Sequence, residues 1–385
     1  MTKRYDSLDV LRGLTVTFMC MVNNPGTWSH MYAPMKHAAW VGCTPTDLIY
    51  PFFLFCSGCA MAFSYSKFDS FNRQAMWKLT KRSLGIFAIG LLLNLYPFFP
   101  VEVHDTTWTF GQNYAYWLSQ KRIMGVLQRI AMAYFIAGVL ALWLRKPGKI
   151  IAAIAVLCVA YTGILVIFGS DPGPFTLEGT ISRKIDVALL GESHVYHGYR
   201  FEDGTRAAFD PEGPLGSMTA ACTCLLGYLI GSLIIGSSRR FADNPQSETD
   251  QPTFMICRIF CFGLLSLALA EVLSIWIPIS KPLWSASYVF FSAGWAMVML
   301  AFFSFCMDVR SIRKPFKVFK IMGMNAMAAF VLSGVIAKSY SFVGWSSSKY
   351  FGANEFMSLV YSCIFATVIF AILFVLYKKK IFIKL

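Results

Sequence analysis

The sequence predicts an all-α, polytopic integral membrane protein. Three observations carry that prediction: the composition, a succession of about ten apolar stretches, and the placement of basic residues between them. Of the 385 residues, 56% are hydrophobic and 14% charged. A soluble domain carries about a quarter charged residues to hydrate its surface, and a disordered chain carries fewer apolar side chains still. The net charge of +14 points at first to nucleic acid. The Lys and Arg residues, however, fall in short runs between apolar stretches rather than along one polar face, so no nucleic-acid partner is expected. The lipid bilayer is the expected surrounding.

A bilayer core of about 30 Å takes roughly 20 helical residues. Stretches of that order run approximately over 8–24, 47–66, 82–100, 122–144, 149–169, 217–236, 255–277, 286–306, 320–339 and 357–377. The first lacks the basic start, short apolar core and small-residue cleavage site of a signal peptide, so it is expected to stay as a helix. Ten spans put both termini on one side. Of the 34 Lys and Arg, 22 fall on the amino-terminal side, among them Lys3, Arg4, Lys67, Lys384 and the cluster from Arg310 to Lys320. Ten fall on the other side, with Arg12 and Arg129 inside helices. The positive-inside rule then makes both termini cytoplasmic. The chain reads as a single transmembrane domain, 1–385, with outer-face loops at 24–46, 97–121 and 170–216, and these loops are where the chemistry is expected. Of the 11 Cys only Cys43 lies in such a loop, so no outer disulfide framework is expected. Cys56 and Cys59, spaced C-x-x-C, have no second pair or His at zinc spacing. They read as helix packing, and no metal is expected.

Polar residues within apolar helices are costly and mark candidate sites. Asp9 and Arg12, at i and i+3, share one face of the first helix; they form either a neutralised packing pair or part of a site. Gln128 and Arg129 lie in the outer half of the fourth helix, where Arg129 is too deep to reach water easily and needs a buried partner or an anionic ligand. Asn325, after Gly323, either caps the ninth helix or sits where free N–H groups meet phosphate. Asn23, His37, Trp40 and Asp47 gather within 25 residues at a membrane boundary. His exchanges protons near neutral pH, Asp orients and polarises it, and an Asn amide donates to a developing oxyanion. On these residues alone, an interfacial His is more often structural than catalytic.

The run Ser7-Leu8-Asp9, Arg12-Gly13-Leu14, Met21-Val22-Asn23, Lys36-His37-Ala38-Ala39-Trp40-Val41-Gly42 and Asp47-Leu48-Ile49-Tyr50-Pro51-Phe52-Phe53 resembles the heparan-α-glucosaminide N-acetyltransferase family of transmembrane acetyltransferases. The likeness continues through Gly125-Val126-Leu127-Gln128-Arg129, Leu190-Gly191-Glu192-Ser193-His194-Val195-Tyr196, Asp210-Pro211-Glu212-Gly213, Leu283-Trp284-Ser285-Ala286-Ser287-Tyr288-Val289, Gly323-Met324-Asn325 and Tyr377-Lys378-Lys379-Lys380-Ile381-Phe382. The resemblance implies that the acetyl group of cytoplasmic acetyl-CoA passes across the membrane to the amine of a terminal glucosamine. It puts the catalytic His on His37 and the active-site Asn and Asp on Asn23 and Asp47. Within the matched motifs, Trp40, His194, Asp210, Glu212 and Trp284 are expected to bind the sugar.

Phosphate charges near a membrane are held by Lys and Arg side chains, helix N-termini or cations. By the topology above, Arg12, Asn325 and the 310–320 cluster line a basic cytoplasmic mouth for acetyl-CoA, with Asp9 orienting Arg12. Gln128 and Arg129 lie nearer the outer face, Arg129 either beside the pantetheine arm or against a buried carboxylate. From Asp9 to Asn23 is 14 residues, about 21 Å of helix, which a long cosubstrate spans. The chain starts at the first matched helix without the luminal domain and leading helix of lysosomal members. It therefore looks like a bacterial form, expected in the inner membrane. The outer loop also carries Asn24, Pro25 and an additional His30, the stretch 197–209 has no motif that could be placed, and acceptor identity and a homodimer stay open. An acetyl-His relay is an alternative mechanism, and a secondary transporter for an amino sugar is the alternative function, against which no inverted-repeat symmetry is visible.

Overall fold

The computed structural model describes residues 5–66, 68, 71–101, 104–243, 252–340 and 345–383; Lys3, Arg4, Lys67 and Lys384, used in the charge count, lie outside them. The helices are α1 (Asp6–Val22), α2 (Pro45–Tyr65), α3 (Arg73–Leu95), α4 (Phe110–Ser119), α5 (Val126–Leu144), α6 (Pro147–Phe168), α7 (Ile181–Leu190), α8 (Ser217–Asp243), α9 (Pro252–Ser274), α10 (Ala286–Ser304), α11 (Lys317–Met324), α12 (Ala326–Ser339), α13 (Ser347–Phe351) and α14 (Glu355–Lys378). Two-residue antiparallel strands, β1 (Tyr199–Arg200) and β2 (Arg206–Ala207), are the only named strands among the described residues.

All ten apolar stretches are helical, and the protein is an all-α polytopic membrane protein. The expected count of ten spans is reduced by length and composition. Among the described residues seven helices, α2, α5, α6, α8, α9, α10 with the π turn that follows it, and α14, are long and apolar enough to cross a membrane. The pair α11 and α12, bent by 81° at Asn325, makes an eighth if taken as one span. The helix α1 has 17 residues, and α3 carries Arg73, Lys78, Lys81 and Arg82 in its first half.

Burial sorts these helices into layers. In α2, α5 and α8 the apolar window is 67%, 61% and 61% buried, whereas in α6, α9 and α14 it is 28%, 28% and 33%. The first set packs together as the interior, and the second turns its apolar side chains outward, as a lipid-facing layer does. Backbones meet closely where glycines allow it. A Cβ on Gly13 would lie 1.6 Å from the Phe319 carbonyl oxygen, and one on Gly323 would lie 1.8 Å from that of Asp9. The pair lets α1 and α11 touch backbone to backbone, the small-residue contact favoured where lipid competes equally for apolar side chains.

Three boundaries differ from expectation for local reasons. The helix α3 starts at Arg73 rather than near 82, because the Asn72 side chain accepts the Ala75 N–H at 2.8 Å and caps it. The helix α5 starts at Val126 rather than 122, because Asn94 Nδ2 donates to the carbonyls of Arg122 and Met124, 3.1 Å each, and keeps that segment extended. The stretch expected at 320–339 is broken at Asn325. In the 170–216 loop, the unplaced segment is the β1–β2 hairpin, closed at Asp203-Gly204 with Gly204 at φ +83°.

Candidate functional site

Asp47 occupies the third position of α2 and accepts the N–H of Thr44, the residue capping that helix, at 3.1 Å through Oδ2. The same oxygen accepts the Ala38 N–H at 3.0 Å. Its other oxygen, Oδ1, lies 2.6 Å from His37 Nδ1 and 3.2 Å from Lys281 Nζ. Asp47 is 1% exposed, and backbone and ammonium donors fill its lone pairs, so it is a carboxylate. His37 Nδ1 therefore carries the proton it shares with Asp47, and Nε2 is the basic nitrogen. The loop bearing His37 is tied down at both ends: the Thr44 hydroxyl donates to the Lys36 carbonyl at 2.7 Å, and the Gly42 N–H donates to the Ile279 carbonyl at 2.7 Å. Tyr288 closes the back by donating to the Asp47 main-chain oxygen at 2.6 Å.

His37 faces a chamber of about 120 Å³ that also meets Asn23, Tyr50, Glu212 and Lys281. A second, larger cavity of about 460 Å³ opens at the amino-terminal end of α1 and meets Asp9, Arg12, Ser57, Lys78, Arg82 and Tyr134. Phe53 of α2 and Ile130 of α5 line both. The larger cavity is basic: Arg12 donates to Asp9 at 3.3 Å, while Lys78 and Arg82, at i and i+4, present two further cations. Arg82 donates to the Tyr134 hydroxyl at 3.2 Å, and its Nε has no hydrogen-bond partner among the described residues.

Of the residues expected from sequence, the structure gathers His37, Asn23 and Glu212 at the chamber with Asp47 behind His37, and Asp9 and Arg12 at the larger cavity. The others stand elsewhere. Asn325 is spent on the carboxy-terminal tail: Nδ2 donates to the Ile381 carbonyl at 3.0 Å and Oδ1 accepts the Ile383 N–H at 2.9 Å. The tail thus closes the α11–α12 break, and Ile383 reaches the larger cavity. Gln128 donates to the Ile123 carbonyl at 2.8 Å. Arg129, fully buried, donates to the Gly213 carbonyl at 3.0 Å and stacks 5.3 Å from the Trp284 ring centroid, on the side of α5 away from both cavities. Trp284 donates to Thr223 Oγ1 at 3.2 Å within the core. Trp40 donates to the Phe175 carbonyl at 2.7 Å and packs on Tyr199 and Phe209, joining the 24–46 and 170–216 loops. His194 Nδ1 meets the Lys121 carbonyl at 2.7 Å. Asp210 receives Arg122 at 2.8 and 2.6 Å, and Glu212 receives the same guanidinium.

Sequence reasoning missed Lys281, Lys78, Arg82 and Arg122. Lys281 stands two residues before the Leu283-Trp284 motif, in a short turn between apolar stretches, which was a usable signal. Lys78 and Arg82 carry no apolar signal of their own: the expected stretch begins only at 82, whereas α3 begins at Arg73 and brings both onto one helix.

The protein is a polytopic helical membrane protein in which a buried carboxylate holds a His at one chamber, an arrangement able to exchange a proton, beside a larger basic cavity. Residues 4–177 match the family model described as heparan-alpha-glucosaminide N-acetyltransferase, catalytic. Over 429 and 428 residues respectively, the chain is 26% identical to the human and mouse proteins named heparan-alpha-glucosaminide N-acetyltransferase, matching 99% of its own length in each case. It spans about 60% of the length of these relatives. The likeness is thus to the heparan-alpha-glucosaminide N-acetyltransferase family, by its catalytic-region model over residues 4–177 and by two relatives along nearly the whole chain.

Proposed function

We propose that the protein is a transmembrane acetyltransferase. It takes acetyl-CoA into the larger cavity from the cytoplasm and transfers the acetyl group to the amine of a glucosamine-type sugar at the His37 chamber. The observation that carries this reading is the shared lining: Phe53 and Ile130 border both cavities, so the thioester end of a long cosubstrate reaches the chamber while its phosphates stay with Arg12, Lys78 and Arg82. Ile383 of the tail, whose N–H is held by Asn325, borders the same mouth.

In the transfer, the sugar nitrogen attacks the thioester carbonyl carbon. The new C–N bond forms, the C–S bond breaks, and the amine proton goes to His37 Nε2, which returns a proton to the departing CoA sulfur. Asp47 stabilises the imidazolium formed on the way. Asn23, at the same chamber, supplies an amide donor to the oxyanion. The bent α11–α12 pair is a feature shared with transporters, so the function assay must separate the two classes. Purified protein in detergent, given acetyl-CoA and glucosamine, is expected to release free CoA. His37→Ala should cut the rate by about 10²-fold or more while acetyl-CoA still binds. No CoA release by the wild type would leave the transporter reading standing, and normal turnover by His37→Ala would remove His37 from the chemistry.

A further inference from the structure

Among the described residues, the ammonium of Lys281 is the one charged group outside the His37–Asp47 pair that reaches both members. It lies 3.1 Å from His37 Nδ1 and 3.2 Å from Asp47 Oδ1. The other titratable groups facing the pair among the described residues are Lys36 beside His37 in the chain, Cys43 on the same loop, Tyr50 of α2, Tyr199 of β1, Tyr288 of α10, and Glu212 across the chamber, itself paired with Arg122. Tyr50 donates to the Val126 carbonyl at 3.1 Å. Since Nδ1 already gives its proton to Asp47, Lys281 has no acceptor on the ring, and its donor goes to the carboxylate. Two donors therefore share Oδ1.

A carboxylate beside an imidazole favours the protonated ring, and a cation beside it opposes that. A protonated ring cannot take a proton from an amine. Lys281 balances the charge of Asp47. It is also rigidly carried: the Ser285 hydroxyl accepts the Ser280 N–H at 3.1 Å, and Gly42 bridges the turn to the His37 loop. We propose that Lys281 is a positioning residue which, by sharing Asp47 with His37, sets the pH at which His37 is free to accept the amine proton. This rests on the reading of His37 as the base.

The test is the pH profile of turnover by the full chain in detergent, with acetyl-CoA and glucosamine as substrates. Lys281→Met removes charge and donor, Lys281→Gln keeps a donor without charge, and Lys281→Arg keeps the charge. The neutral variants should move the acid limb to higher pH by about one unit, while Lys281→Arg should stay within a few tenths of wild type. The acceptor amine titrates identically in every sample and contributes nothing to the difference. Acetyl-CoA affinity should be unchanged, because the larger cavity lacks Lys281. An acid limb unmoved in both neutral variants would overturn the proposal, as would an equal movement in Lys281→Arg. The two failures are distinguishable: normal turnover by His37→Ala defeats the base reading, whereas an inactive His37→Ala with an unmoved limb defeats only the role of Lys281.

Discussion

Asp47 serves as helix cap and as His37 orienter with one carboxylate, and the first of these roles is written in the sequence. Thr44-Pro45-Thr46-Asp47 is a Ser/Thr-x-x-acid start with Pro at the first helical position, so the position of Asp47 was legible before its partner was. Its pairing with Lys281 was not, because it spans 234 residues and no local spacing encodes it. The same holds for Asp186 of α7. Its Oδ2 accepts the Asp210 N–H at 3.2 Å, and its Oδ1 has no partner among the described residues. Burial first, and then the neighbouring Asp210 charge, push its carboxyl up to about 8. The folded protein thus holds this proton up to about pH 8, while the unfolded chain releases it near 4. Stability attributable to Asp186 therefore falls as pH rises between those values. Asp186→Asn should remove the penalty. In thermal unfolding, the Tm of the variant should gain on wild type by a few degrees between pH 5 and 9. A Tm difference that stays constant with pH would mean Asp186 is ionised in the folded state.

At the scale of elements, apolar length located every long helix, and capping chemistry explains where reading by length went wrong. Asn72 and Asn94 act through one side-chain amide each, which an apolar window does not weigh. The Gly323-Met324-Asn325 segment was read as a phosphate site or a cap. Instead Gly323 lets α11 lie against α1, and Asn325 is taken up by the tail. A Cβ at Gly323 meets backbone, which cannot rotate away. Gly323→Ala should push α11 off α1, disturb Asp9 and Arg12, and destabilise by about 1–3 kcal/mol. The KM for acetyl-CoA should rise while that for glucosamine holds. Gly111→Ala on α4, where an added Cβ meets nothing within 4 Å, is the control and should be silent. Equal effects of the two substitutions would show that the α1–α11 approach does not shape the larger cavity.

For the whole molecule, the distribution of basic residues and the two cavities support the directional scheme proposed above. The larger cavity lies at the amino-terminal end of α1, and the His37 chamber lies at its other end, about 21 Å away along the helix. The two cavities were not legible in the sequence, because each is assembled from helices distant in the chain. Their opposite ends of α1 were legible, since Asp9 and Asn23 are fixed by helical rise alone. The central claim is transfer between compartments, and sealed proteoliposomes test it most directly. With glucosamine trapped inside and acetyl-CoA supplied only outside, the account predicts N-acetylglucosamine inside and free CoA outside, from those molecules whose α1 amino-terminal end faces out. Product formed only when both substrates share one compartment would contradict it.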